Sequence, residues 1–385
     1  MDFEWGDDVE AFRAEVQTFL AAHLPPALQD QIYDTGVSHD DEFALALGAQ
    51  NWITPEWPRE GFDLLDADRV HVLTDELTRA DAPFYATETG RMVASVIRQV
   101  GSDELKADVL PKVTRGEVTI ALGMSEPEAG SDVAAIQTRA RAVDGGWVID
   151  GQKMFTTNGH VCDYVFLLVR TDPASERHRG LTTFLVPLDS EGVEAQAVFT
   201  VSGERTNITF YSEVFVEDRW RISEVGAGWQ SLMLALQDEH SASFGPHLDR
   251  LVDDTEAWAA TPDADGIRPI DRADVRLRLA RAATDAEVAA LLQARATWME
   301  SNGEVPVAEG PMAKLFSTEA TVRHAEDLTA MVGPDALRSR GDASAIQSGR
   351  IEHALRFSLG LTIYAGTSEI QRNIIAQRRC GLPRP

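Results

Sequence analysis

The chain has 385 residues, 44% hydrophobic and 25% charged, enough to bury a sizeable core and to divide into two or three domains. Its formal net charge of −27 argues against nucleic acid or an anionic membrane surface as the main partner, since both would repel it. Two cysteines, Cys162 and Cys380, with no CxxC and no Cys/His cluster, give neither a disulfide framework nor a zinc or other metal site. The sequence opens on acidic residues without a cationic apolar leader, and no run of about 18 apolar residues occurs, so a cytoplasmic protein without membrane insertion is expected.

The first segment has helical spacing. Val9, Phe12, Val16, Phe19 and Leu20 recur on one face, Asp7 or Asp8 caps the start, and Pro25-Pro26 stops it. Further helices are predicted over roughly 39–50, 66–80 and 87–100. The character changes near Glu117. Val118–Leu122, Trp147–Asp150, Tyr164–Val169, Leu181–Val186 and Asn207–Phe210 are short β-rich runs, punctuated by turns such as Asp144-Gly145-Gly146. That spacing suits a compact antiparallel barrel or sandwich. From Gly226 helical periodicity returns, over 228–258, 271–301, 311–331, 349–359 and 367–378.

Several segments carry candidate chemistry. Gly123–Asp132 is a Gly-rich polar loop directly after a predicted strand; Gly130 permits close backbone approach, and Ser125 and Ser131 offer hydroxyls to a flavin or phosphate. Lys153-Met154-Phe155-Thr156-Thr157-Asn158-Gly159 follows, with Phe155 readable simply as a core aromatic. The helix from Gly228 places Trp229, Leu232, Met233 and Leu236 on one face, and continuing that face reaches Glu239 and Ser243. A carboxylate on an apolar stripe needs a partner or a job: an arginine, a place at the edge of the stripe, or proton transfer. No G-x-G-x-x-G follows a strand, so a nicotinamide dinucleotide fold is poorly supported. His178 between Arg177 and Arg179 reads as an exposed loop. Asp253-Asp254 could mimic calcium ligands, and Asp263-Ala264-Asp265-Gly266 reads as a capped turn.

Near the C-terminus stands Ile363-Tyr364-Ala365-Gly366-Thr367-Ser368-Glu369-Ile370-Gln371-Arg372. With Met124–Asp132 and Lys153–Gly159, in that order, it resembles the acyl-CoA dehydrogenase family over nearly the whole chain. Pro58-Arg59-Glu60-Gly61-Phe62 loosely resembles the family's Pro-x-Glu-Tyr-Gly loop. The resemblance implies an α+β fold: an N-terminal α-helical domain over 1–117, a middle antiparallel β-barrel over 118–225, and a C-terminal four-helix bundle over 226–385. It further implies an FAD-dependent enzyme that forms a trans double bond between the α and β carbons of an acyl-CoA thioester. Electrons would pass to an electron-transfer flavoprotein. Carried over residue by residue, Leu122, Met124, Ser125, Gly130, Phe155, Thr157, Thr367 and Glu369 become flavin contacts, and Ser131 borders flavin and CoA.

Two departures from the family pattern matter. The tail position that commonly bears the catalytic glutamate is Ala365. Isovaleryl-CoA and long-chain acyl-CoA dehydrogenases carry theirs on the earlier helix, in a Leu-x-x-Glu-Arg context. That matches Leu236-Gln237-Asp238-Glu239-His240, with His240 replacing Arg. The resemblance thus makes Glu239 the base, puts Leu236, His240, Ala365 and Gly366 at the substrate, and aims the residue-365 N–H at the thioester carbonyl. Homotetrameric members also carry Arg-x-x-Phe-Gly and Gln-x-x-Gly-Gly-x-Gly segments that complete a neighbouring subunit's flavin. Here stand Gly266-Ile267-Arg268-Pro269-Ile270 and Ala330-Met331-Val332-Gly333-Pro334-Asp335. The expected assembly is a homo- or hetero-oligomer, with an α₂β₂ complex with a related subunit as the working hypothesis and Arg268 or Arg272 as substitutes in a homo-oligomer. An acyl-CoA oxidase and a cofactor-poor structural subunit are the alternatives.

Overall fold

The computed structural model describes residues 5–175, 177–239 and 244–383, with 237–239 as backbone only. In chain order the helices are α1 (Asp7–His23), α2 (Pro26–Thr35), α3 (Asp41–Ala49), α4 (Ala67–Arg79), α5 (Tyr85–Val100) and α6 (Asp103–Thr114). Seven strands follow: β1 (Ile120–Gly123), β2 (Arg139–Val143), β3 (Gly146–Lys153), β4 (Tyr164–Arg170), β5 (Leu181–Pro187), β6 (Val193–Phe199) and β7 (Arg205–Glu217). The chain then continues through α7 (Gly228–Glu239), α8 (Gly245–Ala260), α9 (Ala273–Ser301), α10 (Glu309–Val332), α11 (Arg350–Leu361) and α12 (Ser368–Arg378).

Helices, then strands, then helices is the expected order. Two helices were not read from periodicity. α2 buries none of its residues, so it has no apolar stripe; Pro26 stands in its first turn, where a missing N–H costs nothing, and Gly36 ends it at φ +66°. α6 contains Pro111, but Leu105, Val109 and Val113 are buried at four-residue spacing and its N-cap Ser102 accepts from the Leu105 N–H.

The chain forms two compact units. One comprises the described residues of Met1–Leu20, Leu65–Asp81 and His240–Pro385; the other comprises Ala21–Leu64 and Ala82–Glu239. In the first, α8 to α11 pack around Leu248, Leu251, Val275, Leu279, Ala282, Ala320, Leu328 and Ile351. α1 is tied to α4 by Arg13 and Glu76 at 2.7 Å. Neither of the acidic pairs behaves as a cation site: Asp253 pairs with Arg79, and Asp254 with Arg350 Nε at 2.9 Å. The Asp263 carboxylate accepts from the Asp265 and Ile267 N–H groups, closing the expected turn. Among the described residues no helix is long and apolar enough to cross a membrane.

His247, on α8, stacks against Phe357 of α11 at 4.9 Å between ring centres. Burial, then the Arg250 guanidinium, hold its pKa down at about 3 from 6.5, against the opposing pull of Asp81. Between those values the unfolded chain binds the extra proton, so this group removes stability as pH falls from about 6.5 to about 3. The thermal midpoint should therefore fall more steeply across that range in the wild type than in His247→Gln. Parallel pH profiles would refute the assignment.

In the second unit the strands run β1-β4-β2-β3-β7-β6, with β5 on the far side of β4. Most pairings are antiparallel as expected, but β1 runs parallel to β4 and β2 touches β4 in parallel. β4 is continuously apolar and central, as a strand covered on both faces must be. β2 and β6 escaped the sequence reading because their residues are mostly exposed, which leaves no apolar alternation to detect.

Candidate active site

The site segments grow out of strand ends. β1 delivers Leu122 and then the loop carrying Met124, Ser125, Gly130 and Ser131. β3 delivers Lys153 and then Phe155 and Thr157. β3 has a register shift between Ile149 and Gly151 against β7, a local irregularity of the kind that re-aims side chains. Gly151 takes φ +148°, and a Cβ there would lie under 3 Å from Thr138 atoms, so glycine lets the two segments meet.

The two segments are bound together at their first residues. Lys153, with 0% of its surface exposed, donates to the Met124 carbonyl at 3.1 Å and to the Glu126 carboxylate at 2.9 Å. Glu126 also accepts from the Gln137 N–H at 2.6 Å and the Thr138 N–H at 2.9 Å. The Met154 N–H donates to the Ser125 carbonyl at 2.9 Å. Burial pushes the Glu126 carboxyl up, but Lys153 and the two N–H donors more than offset this and hold it below its ordinary value. At Lys153 burial dominates and brings the ammonium down to about 8 against the upward pull of Glu126. Both residues lie in the motif segments Met124–Asp132 and Lys153–Gly159, and sequence reasoning missed their pairing. Opposite charges in two strand-flanking segments were the signal.

Phe155 is not the core aromatic that its residue type allowed. It sits at φ +63° with 57% of its surface exposed. Its neighbour Thr156 is buried, with its N–H on the Asn207 carbonyl at 2.9 Å and its hydroxyl 3.1 Å from that of Thr209. Thr157 donates to the Thr206 hydroxyl at 3.2 Å. The ring is thus held outward by anchored flanks, at a backbone cost that non-glycine residues seldom accept without function. The Ser125 hydroxyl has no hydrogen-bond partner among the described residues. Gly130 and Ser131 are exposed, and the loop end is tied by Asp132 to Arg177 at 2.9 Å.

α7 starts against β5 through Gly228, where any Cβ would lie 2.6 Å from the Thr182 nitrogen. Leu232 joins Ala129, Ile136, Leu168 and Leu181 in one core, with Met124, Trp229 and Leu236 packed on it. The stripe is rotated from the one expected: Met233 is 40% exposed, while Ser231 and Ala235 are buried. The register 228, 232, 235 continues to position 239, the last residue of α7. The Glu239 side chain, and all of His240 and Ser243, lie outside the described residues.

In the other unit Ala365 and Gly366 take φ +53° and +78°, two consecutive left-handed residues making a tight turn before α12. Gln371 donates to the Ala365 carbonyl at 2.8 Å, and Lys314 to the Gly366 carbonyl at 2.7 Å. Holding alanine left-handed costs about 1–2 kcal/mol, which those bonds offset. The Ala365 N–H itself has no hydrogen-bond partner among the described residues. Thr367 caps α12 by accepting from the Ile370 N–H at 3.3 Å. The exposed Glu369 carboxyl is held below its ordinary value by its own N–H and the Thr367 hydroxyl. Arg268 and Arg272 are exposed and paired with Asp271 and Asp274. His178 is exposed, with its ring 5.5 Å from that of Trp229.

Family models for the acyl-CoA dehydrogenase N-terminal, middle and C-terminal domains match residues 6–117, 121–218 and 226–379. A curated relative, the acyl-CoA dehydrogenase FadE26 of Mycobacterium tuberculosis, is 34% identical over 97% of each chain. The chain belongs to the acyl-CoA dehydrogenase family. Among solved structures it is similar to the Tcur3481–Tcur3483 steroid ACAD, at 30% identity and TM-score 0.91 over 100% of both chains. The ChsE4–ChsE5 complex from Mycobacterium tuberculosis gives 32% identity and TM-score 0.90 over the same extent.

The family is one of FAD-dependent oxidoreductases of lipid catabolism, and FAD is the cofactor. The residues present fit such a group. An exposed aromatic face, a hydroxyl without a partner and a loop open at Gly130 are what a flat heteroaromatic ring with polar edges requires. Phe155→Ala should therefore lower flavin occupancy or displace its absorbance bands. Unchanged flavin content and spectrum would mean that the ring lies elsewhere.

Proposed function

We propose that this chain is the base-bearing subunit of an acyl-CoA dehydrogenase that desaturates a ring-bearing, steroid-like acyl-CoA thioester at its α and β carbons. Glu239 accepts the α-proton. The Ala365 N–H donates to the thioester carbonyl, whose oxygen gains negative charge as that proton leaves. Leu122, Met124, Ser125, Gly130, Phe155 and Thr157 hold the flavin, with Thr367 and Glu369 of the tail, while Ser131 borders flavin and CoA. When bound, FAD supplies the acceptor for the β-hydrogen. An electron-transfer flavoprotein then collects the electrons.

The observation that carries this reading is the pairing of two departures: Ala365 where the tail base commonly stands, and Glu239 in register with the buried stripe of α7. The exposed Phe155 and the Ala365 N–H, which has no hydrogen-bond partner among the described residues, support it, each within its own unit. The substrate class and the heteromeric assembly draw on the similarity to the steroid ACAD and to the ChsE4–ChsE5 complex. An α₂β₂ arrangement with a related chain also agrees with Arg268 and Arg272, whose guanidinium groups are taken up by adjacent carboxylates.

Anaerobic titration of the FAD-retaining assembly with two thioesters tests the substrate class. A steroid-side-chain CoA thioester should bleach the flavin with at least about tenfold lower half-saturation than a straight-chain thioester, a difference of about 1.4 kcal/mol. Equal or stronger bleaching by the straight chain would overturn the ring-bearing assignment.

A further inference from the structure

Lys153 joins three segments distant in sequence: the loop at 124–126, the end of β3, and the stretch at 137–138 before β2. The carbonyls of two consecutive loop residues, Met124 and Ser125, are held by two consecutive residues, Lys153 through its ammonium and Met154 through its N–H. Both carbonyls are thereby fixed against the segment that carries Phe155. The Ser125 hydroxyl keeps no hydrogen-bond partner among the described residues.

Filling this space does not require an ammonium. A buried charge pair is commonly no more stable than apolar residues of the same volume, so its presence here asks for a reason beyond packing. What the ammonium adds is a fixed separation between two oxygens, one of them on the loop backbone. Glu126 in turn is fixed by two backbone N–H groups, so the reference point is rigid.

We propose that Lys153 is a positioning residue for the flavin, setting where the Met124–Ser125 backbone and hydroxyl meet the ring by anchoring the Met124 carbonyl and Glu126 together. This rests on the placement of the ring at Ser125 and Phe155. The residue does not touch the cofactor in this account; it acts through the loop. Its lowered pKa, about 8, reflects the same burial that makes the anchor stiff.

The test compares Lys153→Met, the double variant Lys153→Met/Glu126→Gln, and Phe155→Ala, all in the FAD-retaining assembly. The readouts are the thermal midpoint, the FAD Kd and the position of the flavin absorbance bands. Lys153→Met should lower the midpoint and weaken FAD, because Glu126 is left as a lone buried charge. Adding Glu126→Gln removes that charge and should recover part of the lost midpoint, since the amide oxygen keeps one of the two backbone N–H donors of Gln137 and Thr138. FAD should nevertheless bind roughly tenfold more weakly in the double variant, with displaced bands, because the Met124 anchor is still gone. A double variant with wild-type Kd and bands would show the pair to be structural only. One that fails to fold would equally overturn the proposal, since the fold would then need the pair before any cofactor. If Phe155→Ala leaves Kd and bands unchanged, the flavin placement itself fails, and that result is distinct from failure of the Lys153 role alone.

Discussion

Glu239→Gln is expected to keep FAD and the fold while turnover falls by about 10²–10⁴-fold or more. The amide has the same size and still accepts a hydrogen bond, but it cannot take the α-proton. Loss of charge at the end of α7 should not unfold the unit, whose core is made by Leu232, Leu168, Leu181 and Ile136 upstream of that position. The expected signature is a drop in kcat at matched flavin content, with little change in thioester binding. Near-normal kcat would remove Glu239 from the chemistry and leave it as a carboxylate that pairs with an arginine or sits at the edge of the stripe.

The second large effect concerns assembly. Expressed alone, the chain should bind FAD about ten- to a hundredfold more weakly than when co-expressed with a related chain that carries the Arg-x-x-Phe-Gly segment. A bidentate Arg–phosphate contact is charge-assisted and worth about 1.5–3 kcal/mol. In a homo-oligomer each site would lack it, because Gly266–Ile270 holds only Arg268, already paired with Asp271. An exposed pair of that kind is weak and screened by salt, and it turns the Arg268 guanidinium onto Asp271. Mass and flavin per chain decide. A stable, active homo-oligomer with one tightly held FAD per subunit would refute the heteromer, whereas about one FAD per αβ pair would agree with it.

Much of this was legible in the sequence because the motifs flank strands and helices whose periodicity is strong. The apolar run Tyr164–Val169 became the buried centre of the sheet, and Val9, Phe12, Val16, Phe19 and Leu20 became the buried face of α1. What escaped shares a physical cause: it is written in interactions between distant segments. The parallel pairing of β1 with β4 leaves no mark in either strand's own pattern. The Lys153–Glu126 anchor depends on the bulge in β3 and the glycine at 151, which bring 138 and 152 together. The stripe of α7 was misjudged because hydrophobicity selects Met233 over Ser231, whereas the buried face is made by the small residues Ser231 and Ala235 beside Leu232. The left-handed turn at Ala365 and Gly366 was visible only as a glycine in a motif, while its locking by Lys314 comes from a helix 52 residues upstream.

The most direct measurement of the central claim, proton abstraction by Glu239, is hydrogen exchange at the substrate α-carbon. The FAD-loaded assembly is incubated in D₂O with the thioester and no electron acceptor, and the recovered thioester is analysed by mass spectrometry. The account predicts deuterium at the α-carbon with the wild-type protein and none above the uncatalysed background with Glu239→Gln. Exchange at the wild-type rate in Glu239→Gln would contradict it.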